Sequence, residues 1–267
     1  MYLIRGQHNL ELFKSRFKDI KLSGTIGNFD GLHLGHQAIL EKIKNNSQEF
    51  NSKTIVFFTE PHASEYFASI NNLHNKIPPR ICSWREKFKL LEKSGIDFAF
   101  FLKFNNSLRT MSPENFISEI LDSINLKSFT VGDDFRFGLD RKGDTDQLRE
   151  WGKKRGILVE NTETILYEDE RVSSSRIRKA LIDNNFKLAE KLLGRPYTFS
   201  GKVVHGQHLG RTIDIPTANI WLPKQKLPIQ GVYAVQCNLG EKTYYGIANM
   251  GVRPTVGGTN PVLEVHL

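Results

Sequence analysis

The sequence predicts an α/β domain built on a parallel sheet, followed by a small all-β domain, and three observations carry that expectation. Over residues 20–193, short apolar runs alternate with amphipathic stretches, as βαβ units require. After Gly194-Arg195-Pro196 the texture changes to Gly-rich loops and short β-type runs without helical periodicity. A length of 267 residues favours two domains over one. The expected division is 1–185 and 186–267, with a small barrel as the form of the second domain and Phe186 to Leu193 as the connecting helix.

In chain order, the candidate strands of the first domain are Lys21 to Ile26, Thr54 to Phe58, Asp97 to Leu102, Ser128 to Val131 and Ile157 to Val159. The first strand leads into a helix carrying Ala38, Ile39, Leu40 and Ile43. Ser83 and Glu86 form a capping-box pattern ahead of Trp84, Phe88 and Leu91, and Gly95 is the stop. Ser112-Pro113 opens another helix, with Phe116, Ile117, Ile120 and Leu121 on its buried face. In the second domain, Gly231 to Cys237 and Thr243 to Ala248 read as strands joined by a turn over Asn238 to Lys242.

Several classes of protein are not expected. Met1 to Gly6 leads directly into polar sequence, and the densest apolar run, Ile96 to Leu102, is interrupted by Asp97 and too short for a bilayer. Neither a signal peptide nor a membrane anchor is expected. Cys82 and Cys237 lack metal-ligand spacing and read as reduced thiols, which suits a cytoplasmic protein. Lys and Arg number 37 against 29 Asp and Glu, a formal charge of +8 that favours anionic partners. Nucleic acid, anionic lipid and phosphorylated small molecules all satisfy that, but because the charges are well mixed a solvated basic surface is expected rather than a dedicated nucleic-acid or membrane patch.

Chemistry concentrates in four segments. Gly27-Asn28-Phe29-Asp30-Gly31-Leu32-His33-Leu34-Gly35-His36 lies at a strand-to-helix junction, where free N–H groups and the helix dipole attract phosphate. Gly31 and Gly35 allow close backbone approach, and His33 and His36, three apart, can face one side and donate to phosphate oxygens. Val131-Gly132-Asp133-Asp134-Phe135-Arg136-Phe137-Gly138 follows another strand; alone it reads equally well as two core phenylalanines around a turn. Arg171-Val172-Ser173-Ser174-Ser175-Arg176-Ile177-Arg178 places hydroxyls and guanidinium groups at a helix start, suited to a polyphosphate or to a plain capped helix. The stretch from Gly201 to Arg211 is not a Walker A loop, but Gly206 and Gly210 suit a loop closing on phosphates, and Thr217 and Asn219 offer neutral oxygens to Mg²⁺.

The decapeptide resembles the HxGH signature of nucleotidylyltransferases, in the form found in the bacterial bifunctional riboflavin kinase and FAD synthetase family. The resemblance implies a Rossmann-like first domain in which His33 and His36 are catalytic and Gly27, Asn28, Asp30, Gly35, Asp134, Arg171, Ser174, Ser175 and Arg178 bind ATP. Phe137 would lie beside the flavin; Asp134 stands where Asn is commoner, and Ser175 where Thr is usual. Pro61-His62 matches a family element and is read as structural. In the second domain the PTAN element, Pro216 to Asn219, resembles that of riboflavin kinases. Gly201, Gly206, Gly210, Thr217 and Asn219 would then bind nucleotide and Mg²⁺, the last two as metal ligands, with Glu264 as the base. The substrates and products implied are ATP, riboflavin, FMN and FAD. Family members continue further, so the kinase half is expected to be incomplete and weak. Two alternatives stand beside this reading: an adenylyltransferase whose β-domain only binds flavin, and a class I aminoacyl-tRNA synthetase-like, tRNA-binding protein. Against the latter, no KMSKS-like segment is present.

Overall fold

A computed structural model describes the chain apart from residues 74–76, 205–215, 223–225 and 256–257, with side chains set aside over 252–260. It divides into two compact units, Met1–Ile77 with Lys87–Ser173, and Pro78–Glu86 with Ser174–Leu267.

The first unit runs β1 (Tyr2–Arg5), α1 (Leu10–Arg16), β2 (Leu22–Ile26), α2 (Leu34–Glu49), β3 (Lys53–Glu60) and α3 (Ala63–Ile70). It continues through α4 (Trp84–Lys93), β4 (Phe98–Lys103), α5 (Asn106–Thr110), α6 (Pro113–Phe116), β5 (Leu126–Gly132), α7 (Thr145–Arg155), β6 (Leu158–Thr162), β7 (Leu166–Tyr167) and β8 (Glu170–Arg171). Six strands form one parallel sheet in the order β1-β4-β3-β2-β5-β6. The five strands expected from sequence are all there. The addition is β1, which pairs with β4 in the register Tyr2↔Phe98 to Arg5↔Phe101. Four residues show too little period to announce a strand, and the partner supplies the hydrogen bonds that make one.

Burial on both faces explains why the strands read as near-continuous apolar runs. One face carries Leu22, Ile26, Ile55, Phe57, Phe100, Phe129 and Val131, all within the main core cluster. The other face of β2 and β5 is lined by Ser23, Thr25, Ser128 and Thr130, all fully buried beneath α2. These short side chains bring α2 close to the sheet. Its register is fixed further along, where Asn46 donates to Glu160 at 2.5 Å and to Thr130 at 3.4 Å.

Local chemistry sets the helix ends. Ser83 N–H donates to Glu86 Oε2 at 2.7 Å and Glu86 N–H to Ser83 Oγ at 3.2 Å, the reciprocal capping box read from sequence. Ser112 caps α6 through Asn115 N–H, Pro113 takes the first turn, and the helix widens into a π turn over Ile117–Leu121.

The second unit contains α8 (Ser174–Ile182), α9 (Phe186–Leu193), β9 (Val203–Val204), β10 (Ala218–Ile220), β11 (Gly231–Leu239), β12 (Lys242–Thr255) and β13 (Gly258–His266). α9 spans the predicted connecting helix and ends at Gly194 in the left-handed conformation. The strands form an antiparallel sheet in the order β11-β12-β13-β10-β9. β11 and β12 are joined by the expected tight turn, with Gly240 at φ 61°. Among the described residues, no helix is long and apolar enough to cross a membrane, and both cysteines are free.

Candidate active sites

Sheet order locates the first site. From β2 the chain builds outward through β3 and β4 on one side and through β5 and β6 on the other. The crevice beyond the carboxyl ends of β2 and β5 is therefore the topological switch point, where open α/β sheets bind ligands. Two motif segments leave the sheet there. Gly27 to His33 follows β2, and Asp133 to Gly138 follows β5, its hydrogen-bonded neighbour.

The β2–α2 turn is tight. Phe29, Gly31 and Leu32 have φ of 48°, 79° and 43°. Asn28 accepts from Thr59 Oγ1 at 3.2 Å, and its backbone carbonyl accepts from Lys87 Nζ at 2.5 Å. Asp30 is buried. His33 is the N-cap of α2: its Nδ1 accepts the His36 backbone N–H at 3.4 Å, which places the proton of the neutral ring on Nε2. The expected juxtaposition of the two histidines is present, with rings stacked 3.7 Å apart at 21°. Phe29 packs on His36 at 5.0 Å.

Burial, then the neighbouring His33 and Lys87, hold His36 well below the usual imidazole value of 6.5, so the ring is neutral. Its Nδ1 is buried without a hydrogen-bond partner among the described residues. Such an atom loses hydration and gains nothing until a ligand arrives. The expected donors to phosphate are thus His33 Nε2–H, the neutral His36 imidazole and the N–H groups of the first turn of α2.

This depression has a stability consequence. Below about pH 6.5 the unfolded chain protonates His36 while the folded chain does not, so this contribution is complete above 6.5 and declines as pH falls towards the lowered folded value. Denaturation midpoints measured between pH 7.5 and 5 should fall more steeply for the native chain than for His36→Asn.

Gly35 has a steric role. A Cβ there would lie 3.2 Å from His33 Cε1, 3.3 Å from its Nδ1 and 3.6 Å from the Val172 carbonyl oxygen. Gly35→Ala should push the His33 ring aside by a few tenths of an ångström. Since Ala is the better helix former, the melting temperature should hold while adenylyl transfer falls about 10-fold.

On the β5 side, Arg171 bridges Asp133 and Asp134, at 3.1 Å to each. Thr164 donates to Asp133, and that hydrogen bond, ahead of the Arg171 charge, keeps the Asp133 carboxyl below its usual range. Asp134 and Arg171, both expected at ATP, are thereby brought together. Phe137, expected beside the flavin, is 6% exposed, stacked on Phe135 at 5.7 Å and packed on Phe116 at 5.3 Å. Gly143 allows this, since a Cβ there would strike the Phe137 ring at 2.7 Å. Phe135 is the partly exposed member of the pair.

Sequence reasoning missed an aromatic cluster just beyond the carboxyl ends of β3 and β4. Tyr66 and Phe67 of α3 meet Phe104 at 5.3 and 6.0 Å, and Arg109 lies over Phe67 at 5.7 Å. Isolated aromatics in an amphipathic helix give no such signal. His62 is structural as expected, capping α3 in a reciprocal box with Glu65.

Ser174, Ser175 and Arg178 fall in the second unit, at the start of α8. Arg178 Nε donates to the Pro79 carbonyl at 2.7 Å, tying α8 to the 78–86 segment. Among the kinase residues, Gly206 and Gly210 lie outside the described residues. Gly201 is required by packing, for a Cβ would meet the Trp221 carbonyl oxygen at 2.4 Å. Thr217 immediately precedes β10. Asn219 on β10 is in register with Glu264 on β13, and Glu264 with Asn249 on β12. In an antiparallel sheet such opposed residues share a face, so the carboxylate is flanked by two amides. Asn249 was not anticipated, because cross-strand neighbours are invisible in a linear sequence.

A switch-point crevice entered by a histidine-capped helix, with a separate antiparallel unit carrying a carboxylate between amides, defines an α/β nucleotidyltransferase-type enzyme with a second, β-sheet module. The FAD synthetase family model matches residues 17–176, and the riboflavin kinase family model matches 193–267. The chain belongs to the bifunctional riboflavin kinase/FMN adenylyltransferase family. It is 43% identical over 269 residues to the protein of that name from Escherichia coli K12, covering all of this chain and 83% of the relative. The Haemophilus influenzae protein is 40% identical over 272 residues, covering 84% of the relative. A solved structure from Streptococcus pneumoniae, described as a macrolide-efflux protein, matches with a TM-score of 0.78 and 28% identity, covering all of this chain and 84% of that one. The tRNA-synthetase-like alternative finds no support in these relatives.

Proposed function

We propose that the chain makes FMN from riboflavin and FAD from FMN, with ATP as donor in both steps. The observation that carries the first-unit chemistry is the switch-point crevice, where α2 begins with two stacked histidines, His33 buried and His36 half-buried, and His36 Nδ1 awaits a partner. Adenylyl transfer needs no protein nucleophile. An FMN phosphate oxygen attacks the α-phosphorus of ATP, and pyrophosphate leaves in line, so catalysis rests on positioning and charge stabilisation. His33 Nε2–H, the His36 imidazole and the first N–H groups of α2 would hold the phosphates. Gly27, Asn28, Asp30 and Gly35 shape that cradle; Asp134, Arg171, Ser174, Ser175 and Arg178 are proposed as further ATP contacts. The aromatic edge of Tyr66, Phe67 and Phe104 offers the apolar face that an isoalloxazine ring needs.

In the second unit, Glu264 would take the proton from the riboflavin hydroxyl as it attacks the γ-phosphorus. Asn219 sits opposite it. The Thr217 hydroxyl and the Asn219 amide oxygen are the neutral, hard donors that suit Mg²⁺, which also takes phosphate oxygens and, when bound, neutralises charge on the transferring group. The test is incubation with ATP, Mg²⁺ and either FMN or riboflavin, followed by separation of the flavins. FAD from FMN and FMN from riboflavin are expected. Failure to form FAD from FMN would defeat the central reading, and failure to form FMN alone would leave an adenylyltransferase.

A further inference from the structure

One buried charge remains outside this account. In α4, Lys87 falls at helical spacing on the same face as Trp84, Phe88 and Leu91, and the structure buries it with Leu91, at 2% exposure. Removing an ammonium group from water costs several kcal/mol, about the scale of a large core mutation. It makes contacts at the β2–α2 turn and the strand beside it. Nζ donates to the Asn28 carbonyl at 2.5 Å and sits 4.8 Å above the centre of the Phe58 ring.

That turn needs holding. Left-handed backbone at Phe29 and Leu32, which are not glycine, is strained and persists only when neighbours over-determine it. Neutral tethers include Gly27 N–H to the Phe57 carbonyl at 3.1 Å, Leu32 N–H to the Phe29 carbonyl at 3.3 Å, Gln37 Nε2 to the Leu32 carbonyl at 2.9 Å, and Thr59 Oγ1 to Asn28 Oδ1 at 3.2 Å. Lys87 adds a charged donor, about twice as strong as a neutral one.

We propose that Lys87 is a positioning residue of the adenylyltransferase site: from behind the turn it locks the strained Gly27–Leu32 backbone into its phosphate-receiving form and supplies the fixed positive charge beneath a polyphosphate. The proposal rests on the adenylyltransferase reading. The ammonium acts through Asn28, whose carbonyl it holds, and through its field. The same charge makes protonation of His36 costlier, so it helps to keep that ring a neutral donor.

Lys87→Met removes the charge and donor but keeps the stem, while Lys87→Arg keeps both. In the full chain, with FMN, ATP and Mg²⁺, Lys87→Met should lose about 10- to 100-fold in kcat/KM for ATP. KM for FMN should stay within about threefold, and Lys87→Arg should recover most of the loss. Lys87→Gln carries the same expectation should the Met variant not fold. Wild-type kcat/KM for ATP in a folded neutral variant overturns the proposal. Equal losses in the Met and Arg variants, or a parallel rise in KM for FMN, would also overturn it, because either marks a packing role. Absence of FAD from the unmodified chain would instead sink the adenylyltransferase reading.

Discussion

Replacing His36 with alanine should lower FAD formation about 10²- to 10³-fold, the effect of removing one preorganised donor from a developing negative charge. Riboflavin phosphorylation by the same protein should change by no more than about twofold, since the variant leaves the second unit's donors in place. The size of the effect follows from the ring's state. It is neutral, stacked 3.7 Å from His33 and in contact with Phe29, so its orientation is fixed before any ligand arrives. Its Nδ1 has no partner among the described residues, so a bound phosphate gains a hydrogen bond without breaking one of theirs. Truncation also opens a cavity beside two rings, which can cost a few kcal/mol. His36→Asn controls for this: it keeps an amide donor near the Nδ1 position and should retain more activity than alanine at similar stability. A folded alanine variant within threefold of the native rate would remove His36 from the mechanism.

The parallel sheet was legible because burial on both faces leaves a mark that needs no partner to be read. Thr54 to Phe58 and Asp97 to Leu102 are apolar runs in any context, and β3 and β4 extend them only at the ends. Tyr2–Arg5 was not legible, as its identity as a strand lies in its pairing with β4. The same division runs through the sites. The β2–α2 turn is contiguous, so its glycines, its histidines and their spacing are all visible in ten residues. Lys87 belongs to that turn from 59 positions away, and in sequence it is one more lysine on an amphipathic helix. Phe137 likewise packs in a way its motif does not announce: its ring sits where a Cβ at Gly143 would clash with it, and it stacks on Phe135 and packs on Phe116.

The second unit depends still more on pairing, and Glu264→Gln tests the residue for which sequence alone said least. A glutamate on an alternating strand is ordinarily solvent-facing; what distinguishes this one is its register, with Asn219 opposite on one side and Asn249 on the other. Opposed residues on one sheet face have Cβ atoms roughly 4.5–5.5 Å apart, within reach of amide-to-carboxylate hydrogen bonds. Such donors would fix the direction of the carboxylate, as a base in phosphoryl transfer requires. Glutamine preserves size and hydrogen bonding but cannot accept the proton, so riboflavin phosphorylation should fall about 10²- to 10⁴-fold. FAD formation from added FMN should be unchanged, and the melting profile should match the native chain. Native turnover in the Gln variant would move the base to another residue, whereas loss of both activities would mean that the strand, and not the proton acceptor, had been damaged.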